Sequence, residues 1–153
     1  MSIFSSFGIN ASGLTAERFR MDIISQNIAN ANTTRTEDGT PYVRKVVTFQ
    51  EKTDQGATFS SMLANNRSRY NRYGGDGVKV GGVYRDNVTE MNKVYDPSHP
   101  DADEDGYVWY PNVNTITEMT NMIDASRAYE ANTTAFATSK AMAVKGLEIG
   151  TNS

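Results

Sequence analysis

Residues 115–145 read TITEMTNMIDASRAYEANTTAFATSKAMAVK, a run that contains neither proline nor glycine. Apolar side chains recur along it at helical spacing, and its alanines raise the helix propensity. Thr115 and Glu118 have the spacing of a capping box, so we predict a helix that begins at Thr115 and continues for about 50 Å. An imperfect apolar stripe on so long a helix favours several packing partners over one core. The stripe consists of Met119, Met122, Ile123, Ala125, Tyr129, Phe136, Ala143 and Leu147.

The N-terminal part predicts a second helix, over about residues 4–31. Apolar residues recur there every three or four positions, with interruptions at Arg18 and Ser25. Gly8 and Gly13 each cost about 1 kcal/mol in a helix interior, so we expect this helix to be stabilised mainly by packing. The stripe and its flank consist of Phe4, Phe7, Ala11, Leu14, Met21, Ile24, Ile28 and Ala31.

Polar residues at the end of this helix admit two interpretations of equal weight. Asn27, Asn30 and Asn32, followed by Thr33 and Thr34, fit ordinary C-cap and turn chemistry. Buried amides also fix the register of packed helices, at a cost in stability.

The middle of the chain predicts a small sheet. All four prolines and eight of the twelve glycines lie between residues 39 and 111, so both ends are free to be helical. Alternation over residues 42–50 predicts one strand, and residues 78–84 predict another, with a bulge or bend at Gly81 and Gly82. The composition of residues 51–77, rich in Asn, Ser, Gly and Arg, predicts a surface insertion.

We therefore predict an α+β fold, in which N- and C-terminal helices pair in a coiled-coil-like layer beside a small central β-containing module with long loops. The expected units are an N-terminal helical segment over 1–35, a central module over 36–113 with an acidic loop at 95–111, and a C-terminal long helix over 114–150.

Composition excludes several classes of protein. Hydrophobic residues make up 38% of the chain, so a large independent core is hard to fill and some apolar surface is expected to meet a partner. The net charge of −3 disfavours non-specific binding to nucleic acid or anionic membranes. The absence of cysteine excludes disulfides, zinc–thiolate sites and thiol nucleophiles. Without an apolar run of about 20 residues or a secretory signal, we expect no integral membrane segment and no cleaved signal peptide.

The acidic residues 101–106 match the start of a calcium-binding loop, because alternate aspartates (Asp101, Asp103, Asp105) precede a glycine. The match fails at the twelfth loop position, where Asn112 replaces a bidentate glutamate. We therefore predict a solvated loop held by its own Asx turns, with no metal site, and keep a secreted calcium-binding module as the less favoured alternative.

Ser98 and His99 superficially offer a nucleophile and a base. Adjacent side chains rarely face each other well enough for catalysis, so a rigid proline-bracketed turn is the favoured interpretation. The chain also has no Gly-rich phosphate loop and no Cys/His ligand cluster. We therefore predict a protein that is not an enzyme and binds no cofactor.

A short basic and aromatic cluster lies within the predicted insertion. Such clusters can stack on bases and contact phosphates, but in an acidic chain the contact of a loop with an acidic protein surface is favoured over nucleic acid. The cluster consists of Arg67, Arg69, Tyr70, Arg72 and Tyr73.

Several motifs resemble those of a known family. Asn27-Ile28-Ala29-Asn30 and Gly39-Thr40-Pro41-Tyr42 resemble the N-terminal signature of bacterial flagellar rod and hook proteins. Residues 95–108, 111–114 and 126–132 are similar to the proximal-rod members, and the similarity runs over nearly the whole chain. The signature loop comprises Tyr95, Asp96, Pro97, His99, Pro100, Asp101, Asp105, Gly106 and Tyr107.

The resemblance implies a structural subunit of the proximal rod, which transmits torque from the membrane ring to the hook in the periplasm. It implies export through the flagellar type III apparatus, and as partners copies of itself, other proximal and distal rod proteins, the rod-base adaptor and membrane-ring components. Another flagellar axial protein is the alternative within this class. We expect the assembly interface to include Phe4, Phe7, Ala11, Leu14, Met21, Ile24, Asn27, Ile28, Asn30, Met119, Met122, Ile123, Tyr129, Phe136 and Leu147.

Overall fold

The computed structural model describes residues 3–52 and 77–151, and it confirms the α+β fold. Two long helices lie at the ends of the chain, and four short strands between them form two antiparallel pairs, β1 with β2 and β3 with β4. The elements are α1 (Ile3–Ala29), β1 (Lys45–Glu51), β2 (Val78–Arg85), β3 (Asn92–Tyr95), β4 (Tyr107–Tyr110) and α2 (Thr115–Thr151).

The two helices pack against each other, as predicted, and their orientation is antiparallel. The rings of Phe7 and Phe136 meet edge to face with centroids 5.0 Å apart. Further along α1, the Ser126 hydroxyl lies 3.9 Å from the sulfur of Met21. Residues further along α1 thus contact residues nearer the N-terminus of α2. The C-terminal part of the longer α2 extends beyond the start of α1.

The buried face of α1 differs from the predicted stripe. Ala16 and Ile23, which are not on the stripe, are buried together with Ile24 on its predicted flank, whereas Ala11 on the stripe is exposed and Leu14 is only half-buried. The reason is that α1 packs on the β1–β2 sheet as well as on α2. A helix that packs on two partners buries a face wider than one heptad stripe. The spacing of apolar residues every three or four positions does not show where the centre of that wider face lies.

The start of α2 is predicted correctly, but its cap is not the predicted capping box. The side-chain oxygen of Asn114 accepts hydrogen bonds from the backbone N–H groups of Ile116 (3.0 Å) and Thr117 (3.2 Å). Asn114 is therefore the N-cap residue, and Glu118 is turned to the interior instead of reaching back to the helix end.

The β1–β2 pair contains the predicted bulge. Thr48 pairs with Gly82 and Phe49 pairs with Val80, which leaves Gly81 without a partner residue. A Cβ atom at Gly81 would lie only 2.7 Å from the Gln50 side chain, so glycine suits this position. The first strand begins at Lys45, three residues later than the predicted residue 42.

The acidic loop joins two strands that the sequence pattern did not predict, β3 and β4. The backbone N–H of Asp96 donates to the carbonyl of Gly106, whose φ of +79° favours glycine. Inside the loop, Asp103 Oδ1 accepts from the backbone N–H groups of Asp105 and Tyr107. The Asx turns predicted for this loop are thus confirmed.

Residues 53–76, which carry most of the predicted insertion and the whole Arg/Tyr cluster, lie outside the described residues. Within the described ranges, neither helix combines the length and apolar character needed to cross a membrane.

Candidate functional site

A buried glutamate joins the two helices to the central module. Glu118 is 1% exposed, and its Oε1 accepts from Arg44 Nη2 at 2.7 Å and Nε at 2.9 Å. Asn121 Nδ2 donates to the same oxygen at 3.2 Å, and Asn27 Nδ2 donates to Oε2 at 2.9 Å. A buried carboxylate is tolerated only when it is paired and hydrogen-bonded in this way. We call the connected side chains of Asn27, Tyr42, Arg44, Asp86, Asn112 and Glu118 the polar clamp.

Asn27, at 1% exposure, uses its whole hydrogen-bonding capacity in the clamp. Besides its bond to Glu118, Nδ2 donates to the carbonyl of Lys45 at 2.8 Å. Its Oδ1 accepts from the Tyr42 hydroxyl and from the Lys45 N–H, each at 2.9 Å. Asn27 therefore bonds α1, to which it belongs, to the start of β1 and to α2. Asn30, by contrast, bonds locally to the carbonyl of Gln26, which is ordinary helix-end chemistry.

Arg44 extends the clamp to the connection between β2 and β3. Its Nη1 lies 3.3 Å from Asp86 Oδ2, and its backbone N–H donates to Asn112 Oδ1 at 2.9 Å. Asn112 Nδ2 in turn donates to the carbonyls of Asp86 (2.7 Å) and Thr89 (3.1 Å). The clamp thus connects α1, the chain that leads into β1, the connection between β2 and β3, and α2.

The electrostatics of the clamp favour its charged form. Burial alone would lower the pKa of Arg44, but the hydrogen bonds and charges of Glu118 and Asp86 outweigh burial and raise it. Hydrogen bonds from Thr89 are the largest cause that lowers the pKa of Asp86, and Arg44 lowers it further. Burial, followed by the charge of Glu118, raises the pKa of Tyr42 and keeps its hydroxyl protonated. The arrangement suits a fixed structural joint.

The structure divides the predicted interface residues into two groups. The first group is covered by the partner helix or the sheet, and it includes Phe7, Ile24 and Phe136. Four further predicted residues are half-buried, namely Met21, Ile28, Met122 and Tyr129. Met119, Ile123 and Leu147 instead are 56%, 52% and 71% exposed, so more than half of each side chain is left uncovered by the pairing of the two helices. Phe4 lies in α1, with its side chain outside the described residues.

The signature loop is attached to the chain after α1. Thr34 Oγ1 donates to Asp101 Oδ2 at 2.8 Å, and Arg35 lies 3.7 Å from the other oxygen of this carboxylate. The Ser98 hydroxyl donates to Asp96 at 2.6 Å, while His99 Nδ1 accepts from the Asp101 N–H. Ser98 and His99 thus serve separate turn contacts. In residues 3–52 and 77–151, no three His, Asp or Glu side chains are grouped to hold a metal ion.

At the tip of the β3–β4 hairpin, the remaining signature residues form an aromatic end. The rings of Tyr95 and Tyr107 meet edge to face at 5.2 Å. A Cβ at the neighbouring Gly106 would lie 3.0 Å from Tyr95 and 3.2 Å from Pro97, and these tight contacts, together with its φ of +79°, disfavour any larger residue there. Pro100 lines a groove together with Trp109 and Asp101.

Sequence reasoning missed the centre of the clamp. The spacing of Glu118 from Met122, Ala125 and Tyr129 places it on the packed side of α2, which was the available signal. The partner Arg44 gave no such signal, because it alternates with apolar residues in a short extended segment and lies 74 positions away.

Comparisons with known sequences match both ends of the chain. The family described as "Flagella basal body rod protein" matches residues 9–35, and "Flagellar basal body rod FlgEFG protein C-terminal" matches residues 104–149. The chain is 44% identical to the flagellar basal-body rod protein FlgC of Bacillus subtilis, over 98% of this chain and 99% of that one. It is 42% identical to FlgC of Borreliella burgdorferi (97% and 98% covered) and 35% identical to FlgC of Salmonella typhimurium (98% and 99% covered).

Proposed function

Because this chain belongs to the FlgC family of flagellar basal-body rod proteins, a family of structural basal-body subunits, we propose that it is a non-catalytic, torque-bearing subunit of the proximal rod. In this proposal the subunit reaches the periplasm through the flagellar type III apparatus without a cleaved signal peptide. Its neighbours there are copies of itself, the other proximal and distal rod proteins, the rod-base adaptor and components of the membrane ring.

The polar clamp is the observation that supports a torque-bearing role. A subunit in a rotating shaft must pass a lateral force from its outer module to its helices without a change in their relative orientation. The Glu118 carboxylate joins Asn27 of α1, Arg44 just before β1 and α2 itself in one set of contacts. Breaking a buried charge pair by removing one partner costs roughly 3–5 kcal/mol, so such a joint resists separation of the three parts.

Exposed apolar residues supply surfaces for neighbouring subunits. Ile116, Met119 and Ile123 follow one another at helical spacing, at 77%, 56% and 52% exposure. A second set, Met142, Leu147 and Ile149, lies in the part of α2 that extends beyond α1. Exposed apolar patches of this kind mark interaction sites, so we assign both sets to contacts between subunits.

An incorporation assay tests this function. Ile123→Asp changes an exposed side chain, so the purified variant is expected to keep the wild-type melting temperature but to be lost from isolated basal bodies, with loss of motility. Thr117→Asp, an exposed substitution elsewhere on the same helix, is the matched control and is expected to incorporate normally. Normal rods and swimming with Ile123→Asp would contradict the assigned interface.

A further inference from the structure

A cleft of about 240 Å³ lies between α1, β1 and the start of α2, and we call it the Phe49 cleft. Its floor borders the polar clamp at Glu118. An apolar cavity of roughly 150 Å³ is enough to hold a benzene ring, so this cleft has room for one aromatic side chain of a partner. The apolar lining consists of Ile23, Ile24, Val46, Val47 and Phe49.

Two cations that line the Phe49 cleft have no carboxylate at hydrogen-bond distance among the described residues. Arg20, whose side chain is 38% exposed, has Glu17 as its ion-pair partner, and the 3.9 Å between Nη1 and Oε2 is too long for a hydrogen bond. Lys45 Nζ lies 3.4 Å from the side-chain oxygen of Gln26 and 5.8 Å from the ring centroid of Tyr42, and both of these partners are uncharged. The cleft therefore combines an apolar floor with two positive charges that can pair with carboxylates of a partner.

The end of the β3–β4 hairpin has the opposite charge. Residues 95–107, which we call the acidic tip, read YDPSHPDADEDGY and contain five carboxylates but no lysine or arginine. Glu104 and Asp105 are exposed, and neither makes an ion pair with residues 3–52 or 77–151. The Tyr95 ring, which is 64% exposed, lies beside Gly106 and so next to these carboxylates. The acidic tip thus presents an aromatic ring flanked by negative charge.

The acidic tip and the Phe49 cleft are complementary in size and in charge. The tip has one exposed ring and two carboxylates without an ion pair, and the cleft has room for one ring beside two cations. Tyrosine is enriched at the centres of protein interfaces, because its ring buries a large apolar area while its hydroxyl tolerates water. Opposite charges around such an anchor fix its orientation and accelerate association. The chain therefore carries both halves of one interface.

Within one chain the acidic tip and the Phe49 cleft stay apart. The tip is tied to the segment after α1 by the hydrogen bond from Thr34 to Asp101, and the stem of its hairpin is anchored by Val108, which is fully buried. In this position Tyr95 is more exposed than covered, and Glu104 and Asp105 have no ion pair among the described residues. Because the contacts of the fold hold the tip in this position, a tip that occupies the cleft is expected to come from a second copy.

We propose that the acidic tip of one subunit docks in the Phe49 cleft of a second copy of this chain. In the docked pair the Tyr95 ring lies against Phe49, and the carboxylates of Glu104 and Asp105 pair with the two cations of the cleft. The contact joins different surfaces of the two copies, so it is head-to-tail and extends into an open helical array. The proposal deepens the rod-subunit function and rests on it, because it names one contact between neighbouring copies.

Carbodiimide cross-linking of the purified full-length protein tests this contact, because the reagent joins a carboxylate to an amine only where the two groups touch. Light chains are mixed with equal amounts of heavy-isotope-labelled chains, so that a cross-linked peptide with one light and one heavy half marks a link between copies. We expect mixed amides between Lys45 and Glu104 or Asp105, in about tenfold excess over mixed amides from the same carboxylates to Lys140, an exposed lysine on α2.

Substitutions on each side of the contact sharpen the test. Tyr95→Ala removes the anchor and should lower the yield of the mixed Lys45 link about tenfold, whereas Tyr95→Phe keeps the ring and should retain most of the yield. Arg20→Gln removes one cation of the cleft and should lower the yield about fivefold, and Arg127→Gln, an exposed substitution on α2, is its matched control and should not. Thermal melting of each variant verifies that the fold is kept.

Two results would overturn the proposal: equal yields of mixed links at Lys45 and Lys140, or a wild-type yield from a folded Tyr95→Ala variant. The same reaction on isolated basal bodies separates this contact from the rod function. Basal bodies that contain the chain but give no amide between Lys45 and the acidic tip would exclude the docking and leave the subunit function intact, whereas a chain absent from basal bodies would contradict the function itself. A link from Lys45 to a different rod protein would exclude a second copy as the occupant.

Discussion

Asn27 on α1 and Glu118 on α2 are 91 positions apart in sequence, yet their side chains share a buried hydrogen bond of 2.9 Å. Each residue is only 1% exposed, so water cannot replace the bond if the helices slide. A shift of α2 by one turn would leave a carboxylate and an amide buried without partners. The bond therefore selects one register for the helix pair, which apolar contacts alone specify poorly.

Removal of the Glu118 charge should destabilise the whole fold. In Glu118→Gln the Arg44 guanidinium loses its principal anionic partner while it remains largely buried, so we expect the free energy of unfolding to fall by roughly 3 kcal/mol. Urea denaturation followed by circular dichroism measures the change. Glu130→Gln, an exposed substitution on the same helix, is the control and should lie within about 0.5 kcal/mol of wild type. Equal effects of the two substitutions would show that the clamp contributes little.

Asn27 and Glu118 should also be energetically coupled. In a cycle of Asn27→Ala, Glu118→Ala and the double variant, we expect the double variant to be more stable than the sum of the single losses by about 1–3 kcal/mol. The reason is that the first substitution leaves a buried partner unsatisfied, and the second removes that partner. Urea denaturation of the four proteins provides the measurement, and strictly additive losses would contradict a direct bond.

Local sequence signals predicted the elements well and the contacts between them poorly. Proline and glycine positions located both helices, and the Gly81–Gly82 pair located the bulge, because each depends on backbone preferences within a few residues. Glu118 was misassigned to a capping box because its actual partners, Asn27 and Arg44, are remote in sequence. Strands β3 and β4, of four residues each, are too short to show a period.

The two glycines of α1 should respond differently to alanine. A Cβ at Gly8 would meet no atom within 4 Å, so Gly8→Ala should stabilise the protein by about 0.5–1 kcal/mol through helix propensity. A Cβ at Gly13 would lie 3.0 Å from the side chain of Asn132, which is held by its own bond to the carbonyl of Ala128. Gly13→Ala should therefore lose most or all of this gain. Thermal melting compares the two variants, and equal stabilisation would show that the helices do not approach closely at Gly13.

Glu17 should make the stability of the fold depend on pH. Burial raises the pKa of this carboxyl above its ordinary value of 4.5, although the nearby Arg20 charge opposes the rise. Its Oε2 accepts no hydrogen bond from the described residues and lies 3.9 Å from Arg20 Nη1. The folded protein thus binds this proton more tightly than the unfolded chain. The contribution to stability is fully present below pH 4.5 and is lost as the pH rises through the folded-state pKa.

Substitution of Glu17 by glutamine removes this titration. Because the amide stays neutral, Glu17→Gln should be more stable than wild type at neutral pH, and the difference should shrink towards zero as the pH falls below 4.5. Thermal melts across this range measure both effects, with Glu130→Gln as the control that removes an exposed carboxylate from the other helix. A constant difference between Glu17→Gln and wild type at every pH would mean that the amide acts through packing and that the Glu17 carboxyl titrates alike in the folded and unfolded chains.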